Sequence, residues 1–221
     1  MAALNTTPLL SLTLHVPQRG VWIADCILDA GALPNELVTL TAANANFIGT
    51  VDPLNSGVFR GKARVRVVGG ANGWSDAVPA RHYHNDARVK VSTVLNALAS
   101  EVGESIDDAP STLLNRDYAR IAGTAARALE SLAFDWWMDF DGITHTKPRI
   151  AVPLAASAEV EVLEFNAGDR ILTLGADTIG AAGVRIGSIV RDKLTGPVRV
   201  DALTLMQGPK SSRVLAWVSD L

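Results

Sequence analysis

V-S-T-V-L-N-A-L-A-S-E-V-G (Val91–Gly103), then R-D-Y-A-R-I-A-G-T-A-A-R-A-L-E-S-L-A (Arg116–Ala133) and F-D-W-W-M-D-F-D-G-I-T-H-T-K-P-R (Phe134–Arg149) form the stretch that decides the fold. Val91, Val94, Leu95, Leu98 and Val102 recur at helical spacing and make one stripe that must face a core. Ser92 is the candidate N-cap and Gly103 the stop. In the second segment Ile121, Ala125, Ala128, Leu129 and Leu132 share one side, with Arg120, Arg127 and Glu130 outside. Its small residues Ala122, Gly123, Ala125 and Ala126 allow close approach, so an αα-hairpin is expected. Asp141-Gly142 reads as a two-residue type I′ turn between Met138-Asp139-Phe140 and Ile143-Thr144-His145, giving a strand hairpin that covers the helices.

Outward from this middle, both flanks are written in β patterns. On the N-terminal side, Leu10, Leu12, Leu14 and Val16 alternate with polar residues. Pro17–Gly20 then turns the chain into V-W-I-A-D-C-I-L-D, which is followed by L-V-T-L-T-A, F-I-G-T-V and, after D-P-L-N-S-G, by V-F-R-G-K-A-R-V-R-V-V-G-G. On the C-terminal side come A-E-V-E-V-L-E-F, R-I-L-T-L, V-R-I-G-S-I-V-R-D-K-L, V-R-V-D-A-L-T-L-M-Q and S-R-V-L-A-W-V-S, with Gly175–Val184 as a connecting loop. Short strands at this spacing predict barrels or sandwiches. The fold class is therefore α+β, mainly β: two small antiparallel β-barrel-like units, 1–88 and 151–221, with a helical hairpin plus β-hairpin module at 89–150 between them.

The bulk composition excludes several classes. The chain has 221 residues, 48% of them hydrophobic, which is enough to bury a core without staples. A formal charge of −3 with interspersed signs leaves no electrostatic footprint for nucleic acid or anionic lipid. Cys26 is the sole cysteine, so no internal disulfide or multi-cysteine zinc site can form, in keeping with a reducing cytoplasm. The first residues carry no secretory signal pattern, and no apolar run reaches the roughly 20 residues of a membrane-spanning helix.

Candidate chemistry is sparse. Asp135, Asp139 and Asp141 recur at even spacing and would share one strand face, the one carboxylate cluster that general acid–base work could use. The bland reading is a turn residue, Asp141, and a solvated face opposite Trp136, Met138 and Phe140. His82 and His84, at i and i+2, would share a strand face and could bind a metal if a third ligand stood nearby. His15 reads as solvated surface beside Ser11 and Thr13. Gly69–Ser75 (G-G-A-N-G-W-S) has glycines that could approach an anion, but fits neither phosphate-loop spacing and reads as a β-turn. Trp22, Trp74, Trp136 and Trp137 are candidate stacking platforms for a carbohydrate, or core residues. No catalytic, cofactor or metal site is assigned.

Taken together, G-V-W-I-A-D-C-I-L-D, L-P-N-E-L-V-T-L and F-I-G-T-V, then R-V-R-V-V-G-G-A-N-G-W, then the helical middle and W-W-M-D-F-D-G-I-T-H-T resemble the baseplate hub and tail-tip proteins of tailed bacteriophages, a group that also resembles the hub part of type VI secretion spikes. The resemblance implies a homotrimer of two-barrel subunits forming a pseudo-sixfold ring between the tail tube protein and the central spike. DNA would pass through its lumen, and the protein would reside in the virion baseplate after synthesis in the host cytoplasm. It implies no enzyme and no cofactor. Two readings from other classes stand beside it: a glycan- or peptidoglycan-acting hydrolase using Asp135, Asp139 or Asp141, and a carbohydrate-binding β module.

Overall fold

The computed structural model describes residues 2–34, 36–154, 160–175, 179, 183–192, 195–208 and 211–221. Leu12, Leu14 and Val16 of the strand Thr7–Val16 are buried at alternate positions, as the period-2 pattern requires. A register shift between Leu9 and Ser11 takes Leu10 out of that alternation. Thr7–Val16 pairs with Ile23–Leu28, which lies beside Lys62–Gly69; that strand borders Ala45–Val51, which pairs with Leu37–Ala42. The short strand Ala3–Leu4 joins Leu37–Ala42 back to the start of Thr7–Val16. The pairing thus closes into a ring of six strands, which leaves few exposed edges.

Trp22 and Phe47 fill this ring edge to face, with ring centroids 5.6 Å apart. Gly49 and Gly69 make room for them, since a Cβ at either position would come within 2.7 Å of the Trp22 indole. The run read as one strand from Val58 onward is interrupted. Gly57–Phe59 folds back on Lys62–Gly69 through Arg60-Gly61, whose positive φ values of 50° and 75° suit a primed hairpin turn.

The C-terminal strands continue the same sheet. Their order is Val152–Pro153, Ser188–Asp192, Gly196–Gln207, Ser212–Asp220, Ile171–Gly175 and Val162–Asn166. Gly196–Gln207 is shared: its first part pairs with Ser188–Asp192 and its last part with Thr7–Val16, Leu205 standing opposite Leu14. Most of the Gly175–Val184 loop lies outside the described residues.

Between the flanks sit two helices, α1 (Val91–Glu101) and α2 (Ala125–Glu130). The α1 stripe Val91, Val94, Leu95 and Leu98 is buried as expected. Ser92 is not the cap. Lys90 takes the N-cap position, and the N–H groups of Val91 and Ser92 donate to the carbonyls of Thr112 and Pro110, so a neighbouring segment does the work of a capping side chain. The second helix is shorter than its periodicity predicts. Asp117–Arg120 is drawn into an antiparallel ribbon with Arg81–His84, and the helix starts only after Thr124, whose hydroxyl accepts from the N–H of Arg127. Ile121 is consequently 83% exposed, while Arg120, expected outside, is 2% exposed and paired with Glu101.

The expected hairpin is present, with Trp137 opposite His145 and Met138 opposite Thr144, but its second strand pairs with Ile106–Asp107 and the two helices do not form an αα-hairpin beneath it. Its turn differs from expectation. Asp139 N–H donates to the Ile143 carbonyl across a three-residue loop, Phe140–Gly142, in which only Gly142 has positive φ (78°). This fits a type I turn with a glycine bulge, because an Asp141 in the left-handed region is not needed when Gly142 alone supplies it.

Candidate functional site

The three expected carboxylates fall into three different settings. The Asp139 carboxylate accepts from the Ile143 N–H at 2.8 Å and lies 3.0 Å from Nε2 of His145, while its main-chain carbonyl accepts from the Trp22 indole N–H at 3.0 Å. It is a half-buried brace, not part of a solvated face. Asp135 precedes the strand and pairs with Arg19 at 2.6 Å; Asp141 is exposed on the turn. The even spacing therefore does not bring the three carboxylates onto one face.

Beside Asp139, His145 stacks on Trp137 with centroids 4.3 Å apart and an interplanar angle of 22°. The guanidinium of Arg149 lies 4.0 Å from the centre of the same indole, whose N–H donates to the Lys147 carbonyl. These groups, with Phe140, Ile150, Arg185 and Ile186, line a cleft of about 460 Å³. The Arg185 guanidinium stands 5.2 Å above Phe140. Both acids of the cleft are engaged by the hairpin itself: Asp139 as above, and Asp108 with the N–H and hydroxyl of Thr146. Lys147, Arg149 and Arg185 form no close ion pair among the described residues, although the Asp139 charge acts favourably on Arg149. Among the described residues Arg149 Nε is buried without a hydrogen-bond partner while its Nη2 donates to the Met138 carbonyl at 3.4 Å, and burial lowers its guanidinium to a pKa of about 10. The cleft is thus positive on apolar, aromatic walls, which suits an anion carried on an apolar segment.

The other candidates fall elsewhere. His82 and His84 flank Asp117 across the ribbon, at 3.4 and 2.7 Å, and the bond from His84 holds Asp117 below the usual carboxylate range. His15 is exposed and bonded to the Thr204 hydroxyl at 2.9 Å. The Gly69–Ser75 turn does cradle an anion, but it is the protein's own. Glu104 accepts from Gly73 N–H at 2.8 Å and from Ala71 N–H at 3.3 Å, and its Oε2 leaves no room for a side chain at Gly70, whose φ is +70°. Trp22, Trp74 and Trp136 are buried, so they cannot offer open stacking platforms; Trp137 is covered by His145 and Arg149.

Sequence reasoning missed Glu104 and the Lys147–Arg149–Arg185 group. K-P-R directly after the hairpin was a local signal, but Arg185 meets Phe140 only through tertiary packing.

This arrangement, a closed strand ring whose sheet runs on into the C-terminal strands with two short helices between, is shared in fold with solved phage tail proteins. It superposes over 98% of its length on a 43 kDa tail protein of prophage MuSo2 from Shewanella oneidensis, covering 96% of that chain with a TM-score of 0.68 at 9% identity. The Escherichia coli c3393 protein, a type VI secretion component with structural similarity to the T4 tail proteins gp27 and gp5, matches 100% of this chain and 77% of its own at TM-score 0.62 and 12% identity. A tail protein from Neisseria meningitidis MC58 matches 98% of this chain and 94% of its own, at 0.61 and 11%. No protein-family model matches the chain, and no curated protein matches it in sequence. At these identities the likeness is one of fold.

Proposed function

We propose that this protein is a structural hub of a phage tail tip: a homotrimer of two-barrel subunits that joins the tail tube to the central spike around the DNA channel, and not an enzyme. The observation that carries the reading is the end-to-end superposition on the MuSo2 tail protein, which leaves almost no part of either chain unmatched. The similarity of the type VI component to gp27 and gp5 supports the hub over other tail positions. In this reading the units 1–88 and 151–221 supply the two frames and 89–150 braces them. Mild net acidity suits a channel through which a polyanion must slide without being held.

The test is native mass measurement of the full chain, alone and with the tail-tube protein, followed by electron microscopy of any ring. A threefold ring that caps the tube is expected. A stable monomer under both conditions, or particles lacking the chain on the tail axis, would overturn the reading. The hydrolase alternative predicts release of soluble fragments from peptidoglycan that Asp139→Asn abolishes; no release is expected from either form.

A further inference from the structure

The cationic cleft and one edge of the C-terminal sheet are complementary. The half-buried Arg149 guanidinium keeps an Nε that finds no hydrogen-bond partner among the described residues, and such a donor suits an acceptor arriving from outside the chain. Lys147 and Arg185 add two exposed cations around Ile150, which is 82% exposed. At the far end of the strand order lies Val162–Asn166, which among the described residues pairs on one side only, with Ile171–Gly175. Its register shift between Val162 and Glu164 leaves Leu163 out of the ladder, 56% exposed, between the exposed Glu161 and Glu164. Neither glutamate forms an ion pair among the described residues.

We propose that the cleft receives the Glu161–Phe165 edge of a second copy of this chain, Leu163 resting against Ile150 while Glu161 and Glu164 meet Lys147, Arg149 and Arg185. Because a positive patch repels itself, the contact joins two different surfaces, head to tail, and such contacts build rings where the rotation closes. The bulge keeps the edge from continuing the neighbour's ladder, so side chains carry the contact. The inference rests on the ring reading above and assigns the faces that make the ring.

Sedimentation of the full chain tests it with Lys147→Glu/Arg185→Glu, with Glu161→Lys/Glu164→Lys, and with all four changes in one chain. Arg149 is left unchanged because its reversal could unfold the hairpin. Each pair of reversals is expected to weaken self-association by roughly tenfold or more, and the fourfold variant to recover it. A Leu163→Cys/Ile150→Cys chain should form disulfide-linked multimers on oxidation, with Cys26 buried and unable to interfere. If rings form equally in wild type and all variants, this pairing is overturned while the hub reading survives. A wild-type monomer overturns both. If cleft reversals abolish capture of a DNA oligonucleotide but leave self-association unchanged, the second-copy assignment is overturned in favour of a phosphate ligand.

Discussion

The indole N–H of Trp22 donates to the main-chain carbonyl of Asp139 at 3.0 Å, tying the first strand ring to the tip of the central hairpin. The bond anchors a residue that also lines the cleft, so the ring and the candidate contact surface share Asp139. Gly69→Ala, which drives a methyl into Trp22, is expected to cost about 1–3 kcal/mol. Urea denaturation with an unchanged slope and a lower midpoint would report it.

Glu104 clamps the Gly69–Ser75 turn. Burial raises its pKa above the ordinary 4.5 despite the N–H donors, so the folded state holds the proton more tightly than the unfolded chain does. Its contribution is fully present below pH 4.5 and is lost as pH rises through the raised value. Glu104→Gln should flatten stability across that window, whereas Glu104→Ala should cost about 1–3 kcal/mol by stranding buried N–H groups. Thermal melts from pH 4 to 8 measure both.

Arg120 is buried and held by Glu101 at 2.8 Å and by the Pro79 carbonyl at 3.0 Å. Glu101→Ala should destabilise by about 3–5 kcal/mol, because it leaves a buried charge unpaired. A double change to Arg120→Met and Glu101→Leu should restore most of the loss. Chemical denaturation of the single and double variants decides between a structural pair and a dispensable one.

Cys26 points into the first ring, and burial with the neighbouring Asp25 pushes its thiol up to about 12. Alkylation by iodoacetamide at pH 8 should be negligible in the folded protein and complete in urea. Rapid labelling of the native form would contradict the closed ring.

Where periodicity speaks about burial, it was a faithful guide: the α1 stripe, the Leu12–Val16 alternation and the strand hairpin all lie where the pattern puts them. It failed where a distant strand competed for the same residues. Tyr118–Arg120 look helical in isolation but pair with Arg81–Tyr83, and no local signal announces a partner so far along the chain. The cleft was illegible for the same reason, since Phe140 and Arg185 come together only through packing. A type I′ turn at Asp141-Gly142 was plausible from composition, but one left-handed glycine was enough.

The shared strand has a consequence for how the molecule is made. Residues Leu12–Val16 leave the ribosome well before the partners that cover their free side, Leu203–Gln207. At ordinary translation rates that gap lasts about ten seconds or more. Throughout it the nascent ring presents an unsatisfied row of amides and carbonyls, so synthesis at high local density, with several copies growing side by side, favours strand exchange between neighbours before each copy completes itself.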